Sequence, residues 1–266
     1  MMMNQNKEKA GNKNKIRHIV GVMSGKGGVG KSTMTSLIAK KLNAEGYKVG
    51  ILDADITGPS IPRLMQVEGE TAYSNGENII PVVDDMGIKI ISLNLIMDDE
   101  SKPVIWRGPM IGSAVNEFYS NVLWGDLDYL LIDMPPGTGD VALTVMQSIP
   151  IKGIIMVSMP QNLVSMIVSK AVNMTKQMNV PIIGIIENMS YIICPNCSEK
   201  IKMHNDKGWD NFIKEDSLDI LAELPMSQEV IGLSSLGVDE ISPELDEILG
   251  NITDKVSRFC KRRIIL

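Results

Sequence analysis

Aromatic side chains are scarce in this sequence: three Phe, three Trp and five Tyr among 266 residues, against 19 Met. Bulky interior contacts must therefore be mostly aliphatic or thioether, and methionine-lined regions repack readily. Cysteine is scarcer still, with three residues, which excludes a disulfide framework. No apolar run approaches the roughly 18 residues of a membrane-spanning helix. The opening stretch MMMNQNKEKAGNKNK has no apolar segment of the secretory kind. These absences lead to the expectation of a soluble, cytoplasmic protein. What is present is ordinary for a globular chain: 44% hydrophobic and 22% charged residues exclude wholesale disorder. A chain of 266 residues can bury a core without staples.

Charge is unevenly spread. Residues 1–17 hold Lys7, Lys9, Lys13, Lys15 and Arg17 against Glu8 alone, a net of +4, so the remainder carries −10 of the overall −6. An acidic body argues against a broad nucleic-acid footprint, and no nucleic-acid partner is expected. The short basic start reads as a disordered tail over residues 1–17. Near the other end, residues 251–266 combine Lys255, Arg258, Lys261, Arg262 and Arg263 with Ile252, Val256, Phe259 and Ile264 at helical spacing. Such a segment can lie on a membrane surface. Its periodicity equally suits a closing helix packed on a sheet, the favoured reading, with no stable membrane association.

Between these ends, short aliphatic runs alternate with helical patterns. Strands are expected over residues 18–23, 48–53, 88–93, 129–132, 153–157, 182–186 and 219–223. Helices are expected over 32–45, 110–123, 140–147, 163–177 and 244–263, and a hairpin near Asn75-Gly76. Continuous runs such as YLLI and IIGII suit strands buried on both faces. The alternation predicts an α/β fold: a mostly parallel twisted sheet with helices on both faces, in a single domain over residues 18–266.

The segment HIVGVMSGKGGVGKST carries the chemistry. From Gly25 it fits G-x-x-x-x-G-K-[ST], directly after an apolar strand and at the opening of a helix. Gly25, Gly27, Gly28 and Gly30 allow the backbone to curl so that successive N–H groups face one phosphate, and the helix dipole adds to them. Lys31 is assigned to the β- and γ-phosphates of ATP and Ser32 to Mg²⁺, with Thr33 beside them at the start of the helix. Two acidic strand ends support this P-loop. Asp133 follows the apolar run at 129–132 and precedes Met-Pro-Pro-Gly, where a Mg²⁺-linked carboxylate and a phosphate-sensing loop would sit. Asp53 and Asp55 end another strand, and one of them, for which Asp55 is taken, would orient the attacking water. Strand-ending aspartates also cap helices and form turns. All three elements fall where a parallel sheet gathers the C-terminal ends of its strands.

At this point the sequence resembles a known family. GKGGVGKST has a second lysine, Lys26, and looks like the deviant Walker A box of the dimeric ATPases that include MinD, ParA and nitrogenase iron protein. Asp53-Ala-Asp55-Ile-Thr-Gly-Pro-Ser60, Arg107-Gly-Pro-Met110, Asp133-Met-Pro-Pro-Gly-Thr-Gly-Asp140, Pro160-Gln161, Glu187-Asn188-Met-Ser-Tyr191 and Cys194-Pro-Asn-Cys197 resemble, in order, the Mrp/ApbC branch of iron–sulfur cluster carriers. The resemblance implies an ATPase working as a homodimer, with Lys26 reaching the partner's nucleotide and contributing to catalysis alongside Lys31 and Asp55. It also implies contact of Asn188 with adenine, a metal centre on Cys194 and Cys197, and apo iron–sulfur proteins as recipients.

Two thiols cannot complete a tetrahedral site, which wants four ligands. Four become available if two chains pair about a two-fold axis, each donating Cys194 and Cys197. By ligand count a [4Fe–4S] cluster and zinc fit equally, and the resemblance favours the cluster. A lone C-x-x-C also fits thiol redox chemistry. Three functions stay open: an ATP-driven cluster carrier, a MinD- or ParA-like organiser of membrane or nucleoid, and a P-loop reductase. The carrier uses every feature of the sequence.

Overall fold

The computed structural model describes residues 14–56, 58, 60–96, 108–159, 164–203, 207–227, 229–230 and 241–262. Residues 1–13, Arg107, Pro160, Gln161, Arg263 and Ile264, which figure in the sequence reading, lie outside these.

Nine strands form one sheet in the order β10-β9-β8-β1-β7-β2-β6-β5, with β11 also paired to β9. The strands are β1 (Lys15–Ser24), β2 (Val49–Asp53), β5 (Val82–Val83), β6 (Lys89–Ile91), β7 (Asp126–Asp133), β8 (Gly153–Ser158), β9 (Ile182–Ile193), β10 (Lys200–Lys202) and β11 (Ile220–Pro225). A separate two-stranded hairpin joins β3 (Tyr73–Ser74) to β4 (Ile79–Ile80) around the expected Asn75-Gly76 turn. Pairing is parallel throughout the centre and antiparallel only for β10 on β9 and β5 on β6.

Every residue of β2 and β8 is buried. Because successive strand residues point to opposite faces, both faces of the sheet are covered there. The cover comes from α1 (Lys31–Ala44), α2 (Ile61–Leu64), α3 (Gly108–Ser120), α4 (Asp140–Ser148), α5 (Val164–Gln177), α6 (Lys207–Glu215) and α7 (Pro243–Lys261). The amphipathic C-terminal segment takes the favoured course. Leu245, Leu249, Ile252, Val256 and Cys260 of α7 are buried, and Thr253 donates to Glu45 at the end of α1. Ser242 caps this helix, accepting from the Leu245 N–H, with Pro243 in the first turn and Glu244 and Asp246 beside the positive dipole end.

Three expectations need correction. The strand expected from residue 18 begins at Lys15, which pairs with Asp126, so Lys15, Ile16 and Arg17 belong to the sheet rather than to a tail. The strand expected to end at 186 runs on to Ile193. Two helices, α2 and α6, and strand β10 occupy stretches for which no regular element was expected.

Candidate functional site: a P-loop and a cysteine turn

The parallel register aligns the functional strand ends. Val22 and Asp53 both lie opposite Asp133, so the outlet of β1 into the P-loop and the ends of β7 and β2 are adjacent. The sheet order puts β8 and β2 on opposite sides of the β1–β7 pair, and in open α/β sheets ligands bind outside the C-terminal ends of strands so arranged.

The loop between β1 and α1 is held from beneath. The Ser24 hydroxyl donates to the Lys26 carbonyl, and the Gly137 N–H donates to the Ser24 carbonyl. Gly30 ends the loop at φ +86°, a left-handed conformation, and a Cβ there would lie 2.3 Å from the Asn188 amide. Conformation and space both demand glycine. As the N-cap of α1, Gly30 offers no side chain to the first N–H groups, which suits a helix that receives phosphate.

Lys31 is buried, and its ammonium donates to Asp133 Oδ2 at 2.7 Å and lies 3.6 Å from Asp55 Oδ2. The Ser32 hydroxyl donates to the same Asp133 oxygen at 2.6 Å, while Thr35 donates to the other at 2.7 Å. Thr33 sits half-buried one residue past Ser32 and Lys26 half-buried in the loop. The sequence-assigned Lys31, Ser32, Asp55 and Asp133 thus meet in one cluster. Thr35 was missed: it lies one helical turn beyond Lys31, outside the motif, but its hydroxyl donates to the second oxygen of Asp133 and lies against the Lys31 carbonyl. The i, i+4 spacing from Lys31 was the available signal.

Asp53 lies beneath this cluster, fully buried. It accepts from the Ser92 hydroxyl and from the Asp55 N–H, both at 3.1 Å. Burial, then the neighbouring Asp133 carboxylate, push its pKa up to about 8, against the attraction of Lys31. Burial beside another carboxylate thus favours the protonated form of Asp53. Hydroxyl and carboxylate oxygens are the hard donors Mg²⁺ prefers, so Ser32 and Asp133, sharing one short contact, fit that ion.

Asn188 reaches the loop from β9. Its amide Nδ2 donates to the Val29 carbonyl at 2.9 Å and its Oδ1 accepts from the Met189 N–H, so the side chain braces the P-loop. Beside it, Glu187 is buried and accepts from Trp209 Nε1 at 2.5 Å, while burial raises its pKa. This link from β9 to α6 carried no sequence signal.

β9 ends at Ile193, and Cys194 follows it, six positions beyond Asn188. The Cys194 N–H donates to the Glu199 carbonyl and the Ser198 N–H to the Cys194 carbonyl, closing a tight turn with Ser198 at φ +59°. Cys194 is half-exposed and Cys197 exposed. Backbone N–H groups of Asn196 and Cys197, followed by the Cys197 thiol, hold the Cys194 pKa below its ordinary value, favouring the thiolate that binds metals. Cys260 is the opposite case: burial pushes its thiol up to about 11. Among the described residues no group of three or more His, Cys, Asp or Glu is placed to hold a metal ion, so the turn offers two thiols per chain.

Comparison with known proteins agrees with this geometry. A family model, ParA, described as NUBPL iron-transfer P-loop NTPase, matches residues 15–258. An iron-sulfur cluster carrier protein of Clostridium perfringens is 48% identical over 222 residues, covering 81% of this chain and 78% of that protein. Another, of Methanocaldococcus jannaschii, is 44% identical over 252 residues, covering 92% and 87%. Among solved structures, a nucleotide-binding protein from Archaeoglobus fulgidus in complex with ADP superposes with a TM-score of 0.74 at 41% identity, covering 86% of this chain and 90% of that one. MinD from Pyrococcus horikoshii, complexed with Mg-ADP, superposes at 0.64 with 19% identity over 93% and 98%, a likeness of fold alone. This chain belongs to the ParA family of NUBPL-type iron-transfer P-loop NTPases.

Proposed function

We propose that this protein is a cytoplasmic ATPase that carries an iron–sulfur cluster on Cys194 and Cys197 of two paired subunits and passes it to apoproteins. The domain is a single unit over residues 18–266, extended at its start to Lys15. One observation carries the reading: β9 braces the P-loop through Asn188 and runs directly into Cys194, so a nucleotide site and a thiol pair share one strand. The names of the relatives point the same way.

In the nucleotide site, Lys31 is poised to exchange Asp133 for phosphate oxygens, because a buried ammonium keeps a charged partner at every stage. Ser32 and Asp133 would hold Mg²⁺, which when bound neutralises charge on the β- and γ-phosphates. Asp55, 3.6 Å from the Lys31 ammonium, orients the attacking water as general base. Lys26 reaches the nucleotide of the partner, and Asn188 lies at the adenine side of the loop it braces. At the other end of β9, four thiolates from two turns hold the cargo; ligand count fits [4Fe–4S] and zinc alike, and the names of the relatives favour the cluster. A membrane organiser has less support. The apolar face of α7 is spent on the core, and among the described residues no helix is long and apolar enough to cross a membrane.

Anaerobic reconstitution with iron and sulfide tests the reading. The expected result is one cluster per two chains, by absorbance and metal analysis, and loss of it in Cys194→Ala. Equal iron in parent and Cys194→Ala would remove the carrier function and leave a P-loop ATPase.

A further inference from the structure

Asp53 closes β2, and Ser92 follows the last residue of β6, the strand beside it. Leu52 pairs with Ile91, so Asp53 and Ser92 meet one residue further on. Both are shut off from solvent, Asp53 at 1% and Ser92 at 0% exposure. The Ser92 hydroxyl donates to Asp53 Oδ2, and Asp53 Oδ1 accepts the Asp55 N–H, each at 3.1 Å. Between them in the chain, the Ala54 N–H donates to the Asp133 carbonyl at 2.9 Å. Residues 53–55 are thereby tied to β7 by their backbone and to β6 through a serine. The chain of contacts from Ser92 through Asp53 ends on the N–H of Asp55, the residue that faces Lys31.

Resting on the ATPase reading above, we propose that Ser92 is a positioning residue for ATP hydrolysis, holding the Asp53 carboxyl so that Asp53 fixes the backbone of Asp55 and aims its carboxylate at the attacking water. The reason lies in what restrains Asp55 during turnover. Its carboxylate lies 3.6 Å from the Lys31 ammonium. Once Lys31 turns to phosphate oxygens, that attraction is divided with a highly charged ligand. The bond from the Asp55 N–H to Asp53 does not involve Lys31, so it holds Asp55 through that exchange. It can do so only while the Asp53 carboxyl keeps its orientation. The terminal torsion of an aspartate has a broad, two-fold preference, and a carboxyl held at one oxygen alone can swing. With Ser92 on Oδ2, Oδ1 stays turned to the Asp55 N–H. Placement of the reacting groups is unforgiving, since an ångström of displacement can cost about a hundredfold in rate. Loss of the serine hydroxyl should therefore act on turnover and spare binding, because the grip on phosphate belongs to the P-loop.

The test measures Mg²⁺–ATP turnover and ADP affinity of full-length parent, Ser92→Ala, Ser92→Thr, Asp55→Asn and the Ser92→Ala/Asp55→Asn double variant. Ser92→Ala is expected to lower kcat about five- to tenfold while KM and ADP affinity stay within about twofold of the parent. Ser92→Thr restores a hydroxyl and should recover at least about half of the parental kcat. Ser92→Cys, close in volume and a weaker donor, stands in if Ser92→Ala does not fold, with a loss of about threefold. A serine that acts through Asp55 adds nothing once the carboxylate is gone, so the double variant should turn over at the rate of Asp55→Asn alone, read in single turnovers. Parental kcat in the Ser92 variants would overturn the proposal, as would a threonine variant as slow as the alanine one. So would an equal loss of kcat and ADP affinity, or the same fold-loss from Ser92→Ala with and without Asp55, each of which would make Ser92 a support of the fold at large. A parent without ATP turnover, or Asp55→Asn as fast as the parent, would fail the ATPase reading itself; fast Ser92 variants beside a slow Asp55→Asn would fail the positioning role alone.

Discussion

The two sites differ in how they are built. Around the P-loop, buried Lys31 and Asp133 and the two helix hydroxyls form a network within one chain, set into the end of the hydrophobic core. The cysteine turn stands out on an exposed hairpin, with two ligands fixed by local backbone hydrogen bonds. The first site's network lies within one chain, whereas on the reading proposed above the second is completed by a second copy. Removal of one group should therefore cost stability at the first and spare it at the second.

Lys31→Ala is the largest break in that comparison. It leaves Asp133 buried without its cation, and such losses cost about 3–5 kcal/mol. The expected outcome is a clearly lowered melting temperature together with ATP–Mg²⁺ binding weakened at least about a hundredfold by calorimetry. A variant as stable as the parent would mean that Asp133 is satisfied without Lys31.

Asp53 sharpens the same point through pH. Its folded pKa, about 8, lies above the value it has in an unfolded chain, so between those values the folded state binds the extra proton. The contribution of Asp53 to the stability of the nucleotide-free protein should accordingly be full in acid and be lost as pH rises through about 8, by at most about 1.4 kcal/mol per pH unit. Asp53→Asn keeps the shape and removes the charge, so denaturant midpoints between pH 5 and 9 should lose that contribution to the slope. An unchanged slope would place the proton elsewhere.

The smallest effects contrast two thiols. Cys260→Ala empties part of the α7 packing and should cost about 1 kcal/mol without changing bound iron. Cys194→Ala should stay within about 0.5 kcal/mol of the parent in the metal-free state and lose iron. Urea unfolding and metal analysis of both variants read the contrast, and a reversal would exchange the roles of the two thiols.

The strands and helices flanking the nucleotide site were legible because continuous aliphatic runs and 3.6-residue periods alternate cleanly there. The second half of β9 was not. Glu187, Asn188 and Ser190 interrupt its apolar run, and each is tolerated in a buried strand only by a partner far along the chain: Trp209, Val29 and Leu224. Helix α2 begins with Ile-Pro and has four residues, too few for a period to register. In α6, a single turn of periodicity was lost among charged residues, although Trp209 and Phe212 on one face are buried.

The sequence by itself determined the P-loop, since four glycines, a lysine and a hydroxyl stand in register between an aliphatic strand and a helical pattern. It also determined the parallel sheet, whose doubly buried strands are written as aliphatic runs. Only tertiary structure decided which carboxylate each group meets. Asp53, Asp55 and Asp133 look alike in a linear chain, yet burial beside Asp133 raises the pKa of Asp53, while Asp133 takes up Lys31, Ser32 and Thr35. The fold likewise buried Tyr191 on one face of the cysteine hairpin, beneath Lys200, and left Ile192 and Ile201 partly exposed on the other, because alternate strand residues fall on opposite faces and only packing decides which of them are covered.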